Sequence, residues 1–440
     1  MKFINTLKDI FKIEELKNKI LLTIGLIAVY RFMAAVPLPG IDPLQLSALK
    51  ESTSGGLLGL LNAFTGGAFA RASVMALGIM PYISASIVVQ LMGIAVPYLQ
   101  KLQKDGESGR KKITQITRWL TIGITLVQAP TYITAIKTQF NLPPEAFLVS
   151  GITFWISSII ILTAGTIFAM WLGERITDKG IGNGISLLIT VGIIANFPAA
   201  FLQEFVSKTE NAGAGGLMMV LIEIIVWFVV ILLTVLLVTA VRKIAVQYAR
   251  RTVAGSTQNV AGSRDYIPLK LNAAGVMPII FAQAIMFLPL ALGQKFPILV
   301  GLTDPNGWQY NVIFAVLIII FSYFYTAITI PTNKMAEDLK RSGGFIPGIR
   351  PGKDTADRLD SVLSRITFPG SLFLAGLSIL PAIVVQFGVQ QGWSMFYGGT
   401  SLIIMVGVAI DTIQQINSYL LNNHYDGLMK PGNSNRKSNK

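Results

Sequence analysis

Ten apolar stretches, each about as long as a membrane is thick, dominate this sequence of 440 residues. A transmembrane helix needs roughly 20 mostly apolar residues, with a range of about 17–25. The stretches that meet this requirement lie at residues 20–36, 74–97, 116–136, 152–172, 185–201, 216–241, 271–292, 311–331, 366–387 and 400–421. The sequence therefore predicts an all-α polytopic membrane protein with ten transmembrane helices.

The composition excludes most other classes of protein. Charged residues make up 13% of the chain, hydrophobic residues 52%, and the mean hydropathy is +0.60. A soluble protein carries roughly 25% charged residues, so a water-soluble enzyme is excluded. The chain has 0 Cys and one histidine, His424, which removes disulfides, thiolate metal sites and most histidine-dependent catalysis. We expect no metal site, no cofactor and no catalytic residue.

Lysine and arginine are distributed very unequally among the predicted loops. Of the 36 basic residues, 30 lie in the N-terminal segment, the C-terminal tail and every second loop between them. Only 5 lie in the opposite loops, among them Lys208. Because cytoplasmic loops carry the excess of Lys and Arg, both termini, including the tail 422–440, are predicted to be cytoplasmic.

An eleventh apolar stretch, residues 56–66, is too short to span a membrane and contains three glycines. We expect it to form a short re-entrant plug helix that is buried in protein. The ten spans divide into an N-terminal half, 1–201, and a C-terminal half, 202–421. Because each half has an odd number of spans, two similar halves would be inverted relative to each other.

Two predicted cytoplasmic segments, 242–270 and 332–365, are unusually long for loops. The first alternates in the manner of a β-strand around Ile244 and Val246. The second predicts a short amphipathic helix, a Gly/Pro-rich tip around Arg350 and a helix that leads into the next span. Both are basic, which is compatible with solvated loops or with docking of an acidic or polyanionic partner.

Three ionisable residues, Arg31, Glu223 and Asp411, lie within the predicted spans. Each costs about 2.5–3.5 kcal/mol at a helix centre, so each normally has a partner or lines a pathway. Glu223 is near a helix end, where its carboxylate could snorkel to water. Arg31 and Asp411 could pair internally or bind another subunit. Pro81 and Pro278 fall inside the second and seventh spans, where proline would kink a helix.

Polar motifs that occur in a fixed order point to one family. They are PLPGID (37–42), TGGAFARASVMALGIMPYISASIVVQL (65–91), DGESGRKKI (105–113), WLGERITDKGIGNGIS (171–186), IPLKLNAAGVMP (267–278), GGFIPGIRPGKDT (343–355) and YGGTSLIIMV (397–406). In these motifs the sequence resembles the SecY family, the channel subunits of bacterial protein translocases. The resemblance covers most of residues 20–430.

The resemblance implies two inverted five-helix halves around a central pore, with a lateral gate between the second and seventh spans. It implies a passive channel in the cytoplasmic (inner) membrane of a bacterium, which translocates secretory polypeptides and inserts membrane proteins laterally. SecA, an ATPase, or a translating ribosome would supply the energy. The implied partners are SecE, SecG, SecA, the ribosome with its RNA, signal sequences, nascent polypeptides and membrane lipids.

The resemblance also implies four sets of functional residues. The pore ring consists of Ile79, Ile83, Ile185, Ile189, Ile280 and Ile404. The plug consists of Gly56, Leu57, Leu58, Gly59, Leu60, Leu61, Asn62, Ala63 and Phe64. The lateral gate consists of Ser84, Gln128 and Asn272, joined by hydrogen bonds between helices. The docking residues for SecA and the ribosome are Arg250, Arg251, Arg350 and Lys353.

Two other classes of protein are weighed against the channel. A small-solute transporter with inverted repeats would be expected to place coupling carboxylates near the membrane midplane, and few carboxylates lie in the spans. An intramembrane enzyme would need a paired set of catalytic groups in the spans. The ordered motifs favour the channel over both.

Overall fold

The computed structural model describes residues 13–46, 49, 59, 62–138, 146–149, 151–210, 216–248, 264–292 and 306–429. Within these residues the chain is mainly helical, as predicted. The longer helices are α1 (Glu14–Ala35), α2 (Met80–Ala95), α3 (Pro97–Lys104), α4 (Gly106–Thr138), α5 (Ile152–Lys179), α6 (Gly184–Glu210), α7 (Gly216–Thr239), α8 (Met277–Leu292), α9 (Trp308–Thr329), α10 (Thr332–Arg341), α11 (Lys353–Gln386) and α13 (Gly399–Met429). A one-turn helix, α12 (Gln391–Ser394), precedes the last of them.

Each of the ten apolar stretches overlaps one of these helices. Among the described residues, eight helices are long and apolar enough to cross a membrane, or up to nine if α2 and α3 form one broken span. These two helices are bent by 101° at a break before Pro97. Val96 is extended there, because the residue before a proline is disfavoured in the helical region. The count of ten spans stays a prediction.

The second span begins later than its apolar run indicates. Residues 65–79 form turns, with three glycines at positive φ, and the helix starts only at Met80. Pro81 therefore lies in the first turn of α2, and Pro278 likewise lies in the first turn of α8. The predicted interior kinks at both prolines are wrong. Proline favours the first helical turn because its missing N–H has no intrahelical partner there.

The chain forms two compact units, and their boundaries cut through two helices. The first unit comprises Met1–Pro198 and Val408–Lys440, and the second comprises Ala199–Gly407. Helix α6 thus contributes to both units, as does α13. The inverted relation between the predicted halves, 1–201 and 202–421, stays a prediction.

In the first unit, the irregular segment before α2 packs against α4. The Tyr132 hydroxyl donates a 2.8 Å hydrogen bond to the carbonyl oxygen of Phe69, and the two rings meet edge to face at 4.9 Å. Leu38, Phe154 and Leu162 belong to the same buried cluster. Aromatic packing and burial together hold this segment in one place although it lacks a helical hydrogen-bond ladder.

In the second unit, the two long segments form one small folded body. Strand β1 (Val241–Tyr248) lies between β2 (Arg264–Lys270) and β3 (Gly344–Phe345), antiparallel to both. The alternation around Ile244 and Val246 therefore predicts its strand correctly. The predicted helix, tip and helix over 332–365 are also confirmed, as α10, the loop to Gly352 and the start of α11. The membrane helices confirm the predicted all-α membrane class. The three-stranded sheet was not part of that prediction.

Candidate functional site

The four pore-ring isoleucines of the first unit lie on two helices. Ile79 immediately precedes α2, and Ile83 lies one turn further along. Ile185 and Ile189 lie one turn apart near the start of α6. Ile79, Ile83 and Ile185 belong to one hydrophobic cluster with Met75, whereas Ile189 is buried nearby in α6. An apolar surface of branched side chains is thus formed where the two helices begin.

The remaining pore-ring isoleucines, Ile280 and Ile404, lie in the second unit on α8 and α13. The Gln283 amide nitrogen donates a 3.4 Å hydrogen bond to the Thr400 hydroxyl, so these two helices are neighbours. Gln283 follows Ile280 by one turn, and Thr400 precedes Ile404 by one turn. Ile280 and Ile404 therefore each lie one helical turn from this contact.

The plug is described only in part. Of its predicted residues, Gly59, Ala63 and Phe64 are buried, and Asn62 is partly buried. The other predicted plug residues lie outside the described part of the chain: Gly56, Leu57, Leu58, Leu60 and Leu61. We refer to residues 62–70, which follow them, as the plug base.

The short helix in the plug base ends in a glycine turn. The Gly67 N–H donates to the Asn62 carbonyl at 2.8 Å, and the Gly66 N–H donates to the Ala63 carbonyl at 3.0 Å. With Gly66 at φ +66°, these two bonds form a Schellman motif, for which glycine is favoured. The Asn62 side-chain oxygen also accepts a 3.0 Å hydrogen bond from the Ala70 N–H.

Two helices of the first unit confine the plug base. From α1, the Arg31 guanidinium donates a 3.0 Å hydrogen bond to the Gly66 carbonyl. From α6, Gly192 approaches so closely that a Cβ there would lie 3.0 Å from the Phe64 carbonyl oxygen. A Cβ on Gly66 would collide with both the guanidinium and the Gly192 backbone. Arg31 thus has a partner inside its own unit, which the sequence left open.

The gate residues are placed on three different elements. Ser84 lies on α2, and its hydroxyl donates to the Met80 carbonyl of its own helix at 3.1 Å. Gln128 is partly buried on α4. Asn272 precedes α8, and its side-chain oxygen is buried without a hydrogen-bond partner among the described residues. Ser84 and Gln128 belong to the first unit and Asn272 to the second, and the gate itself stays a prediction.

The docking residues divide into two pairs. Arg250 and Arg251 lie outside the described residues. Arg350 is exposed on the loop between β3 and α11, and Lys353 is the exposed first residue of α11. The Thr355 hydroxyl donates a 2.8 Å hydrogen bond to the Arg350 carbonyl, which ties the loop to the helix.

A separate hydrophobic core lies beneath this tip. Val246 of β1, Ile346 of the loop and Leu359 of α11 form its buried centre, with Met335 and Leu339 of α10 packed against them. We refer to β1, β2, β3, α10 and residues 346–359 as the docking platform. This core determines the position of the loop that carries Arg350, so the basic tip belongs to a folded unit.

A buried ion cluster in the second unit was missed by the sequence. The Lys208 ammonium lies 3.7 Å from a Glu204 carboxylate oxygen and 3.5 Å from one of Glu223. It donates to the Gly388 carbonyl at 2.7 Å, and the Gln390 N–H donates to Glu204 at 2.8 Å. Lys208 is therefore buried in α6 and not in a loop, and Glu223 does not snorkel: its side chain is only 5% exposed. Opposite charges that lie close together offset part of the cost of removing each from water, so Lys208 and Glu223 can both be buried, contrary to the prediction.

Aromatic side chains cover the ion cluster. Trp393 packs against Phe201 at 5.3 Å and against Trp227 at 5.9 Å, measured between ring centroids. The Tyr397 hydroxyl donates a 2.8 Å hydrogen bond to the Glu223 backbone carbonyl, and burial raises the pKa of this phenol above its ordinary value. The spacing of Glu204 and Lys208, one helical turn apart, was the only signal in the sequence.

The fold of this chain is similar to that of solved structures. The solved structure titled "The structure of a protein conducting channel" is similar with a TM-score of 0.61, at 19% identity over 94% of each chain. Sec61 in a canine ribosome-channel complex from the endoplasmic reticulum is similar with a TM-score of 0.55, at 18% identity over 94% of each chain. The chain has the fold of protein-conducting channels.

Sequence comparison defines the family. The SecY family profile matches residues 73–413. The protein translocase subunit SecY of Haemophilus influenzae is 40% identical over 431 residues, which are 95% of each chain. That of Bacillus subtilis is 39% identical over 444 residues, covering 97% of this chain and 99% of the relative. The chain belongs to the SecY family. This membership confirms the predicted class, a multi-pass channel subunit of a protein translocase that is not an enzyme.

Proposed function

We propose that this chain forms the pore through which secretory polypeptides cross the cytoplasmic membrane of a bacterium. Hydrophobic segments would leave the pore sideways into lipid, between α2 and α8. Both termini would be cytoplasmic, as the distribution of 30 of the 36 basic residues supports. SecE and SecG would complete the channel, and SecA or a translating ribosome would drive the polypeptide.

The observation that carries this proposal is the apolar character of the predicted ring. Ile79, Ile83 and Ile185 cluster with other apolar side chains, and Ile280 and Ile404 lie on neighbouring helices, each one turn from the Gln283–Thr400 hydrogen bond. A narrow collar of such side chains does not solvate ions, so it resists ion flow by dewetting. The same collar can yield to a polypeptide whose side chains vary along its length.

The predicted gate would open readily because the hydrogen bonds of its residues contribute little to keeping it closed. The Ser84 hydroxyl donates to a carbonyl of its own helix, and the Asn272 side-chain oxygen has no partner among the described residues. Hydrogen bonds between membrane helices contribute about 0.6 kcal/mol each. An entering signal sequence, which is an apolar helix, could displace contacts of that size and then partition into lipid.

The docking platform would receive the energy source. Arg350 is exposed at its tip, and a guanidinium binds carboxylates and phosphates through two parallel hydrogen bonds. This geometry suits both an acidic surface of SecA and the phosphates of ribosomal RNA. Lys353, three residues on, adds a second positive charge.

Protease protection of a radiolabelled secretory precursor tests the proposal. Proteoliposomes would contain the full chain with SecE and SecG, and SecA and ATP would be supplied outside. We expect ATP-dependent protection for the natural chain and none for Arg350→Glu. Arg110→Glu, which makes the same charge change at an exposed position on α4, outside the docking platform, is the matched control and should retain most of the protection.

Each outcome of this experiment has a distinct meaning. Protection that persists in Arg350→Glu would remove Arg350 from the docking surface. Equal loss in both variants would indicate a general effect of charge. No protection with the natural chain, in parallel with an active control channel, would overturn the channel proposal and favour the solute transporter.

A further inference from the structure

The Arg31 side chain has no obvious reason to lie in an apolar helix. It interrupts the run of α1, and a charge within a membrane helix is costly unless it has a partner or lines a pathway. Among the described residues it forms no salt bridge with a carboxylate. Among the same residues, its hydrogen bond goes to the backbone carbonyl of Gly66, in the plug base.

The Gly66 carbonyl is suited to this contact. Gly66 is the left-handed residue just beyond the end of the plug-base helix, so its carbonyl has no partner within that helix. A nearby arginine can satisfy one of them, and its charge strengthens the hydrogen bond. Gly192 of α6 lies against the same turn and leaves little room for the plug base to move toward that helix.

We propose that Arg31 is a positioning residue that latches the plug base in the sealed state of the channel. The inference rests on the proposed function, because it assigns the latch to the seal of that same pore. The latch consists of one side chain and one backbone oxygen, so its strength does not depend on the plug's side chains. A single hydrogen bond favours closure yet can break when a polypeptide enters.

Ion conductance in planar bilayers, with the full chain assembled with SecE and SecG, tests the latch. Arg31→Met keeps an unbranched stem and removes the charge and its donors. We expect about a tenfold rise in the leak of ions, which corresponds to ~1.4 kcal/mol. Arg31→Lys, which keeps one charged donor group, should restore part of the seal. If Arg31 were merely a tolerated charge, the apolar variant would stay as tight as the natural chain.

Two further variants make the result specific. Arg110→Met removes an exposed arginine near the start of α4 and should leave the conductance unchanged. In a chain that lacks residues 56–66, the acceptor Gly66 is absent, so Arg31→Met should add no further leak. An additional leak in that background would show that Arg31 acts elsewhere, and would overturn the proposal.

The latch can be tested even if Arg31→Met does not fold. Gly192→Ala leaves Arg31 intact, but its Cβ would press on the Phe64 carbonyl oxygen and the Gly66 nitrogen. It should therefore raise the leak as well, and a tight Gly192→Ala channel would count against a positioned plug base. Translocation by the natural chain is measured in the same preparation. Failure there overturns the proposed function, whereas translocation with a tight Arg31→Met variant overturns only the latch.

Discussion

The plug base and the docking platform are both irregular regions between membrane helices, but they are held in different ways. The platform has its own hydrophobic centre around Val246, Ile346 and Leu359, closed by a three-stranded sheet. The plug base is packed at its end, where Phe69 meets Tyr132, but its glycine turn is held by hydrogen bonds, one from Arg31 to Gly66 and one from the Ala70 N–H to Asn62. The proposed roles fit this difference, since a docking surface needs a fixed position and a plug has to be released.

The difference follows from the energies involved. Each buried aliphatic side chain contributes about 1.5–3 kcal/mol, and such contributions accumulate in a core. A single intramolecular hydrogen bond contributes only about 0.5–1.5 kcal/mol net, or somewhat more when one group is charged. A few bonds of this size can be broken by a passing polypeptide, whereas a packed core resists the force that a docked motor transmits.

Removal of a core side chain from the platform should have the largest effect. Leu359→Ala should destabilise the platform by about 2–5 kcal/mol, because it leaves a cavity beneath the tip. Hydrogen exchange of the β1 amides should become faster, and SecA-driven translocation should fall. Leu372→Ala on the same helix is the matched control, since Leu372 is 56% exposed. A rise in ion leak with unchanged translocation would contradict the division of roles.

Removal of one polar contact from the plug base should have an intermediate effect. Asn62→Ala deprives the Ala70 N–H of its acceptor, at a cost of about 1–3 kcal/mol. We expect a leak of ions in planar bilayers, with SecA binding unchanged. Asn62→Asp retains a side-chain oxygen and should seal better than Asn62→Ala. Loss of SecA binding in Asn62→Ala would show that the two regions are not independent.

The same contrast separates what the sequence could predict from what it could not. Apolar length predicts the membrane helices, and strict alternation predicts β1, because each pattern depends on local residues alone. The late start of α2 had a local signal as well, since Pro81 favours a first helical turn. The partners of Arg31 and Lys208 lie far away in the chain, at Gly66 and Glu223. Such pairings depend on tertiary packing, which no local pattern reports.

The tip of the platform offers the smallest and most exact test. Thr355→Val keeps the size and branching of the side chain but removes the hydroxyl that donates to the Arg350 carbonyl. The loss of about 0.5–1.5 kcal/mol should raise the SecA concentration needed for half-maximal translocation roughly two- to tenfold. It should cause no ion leak. Thr355→Ser retains the donor and should behave almost as the natural chain. If Thr355→Val were as active as Thr355→Ser, the core alone would position Arg350, and the platform would depend even less on single bonds than the plug base does.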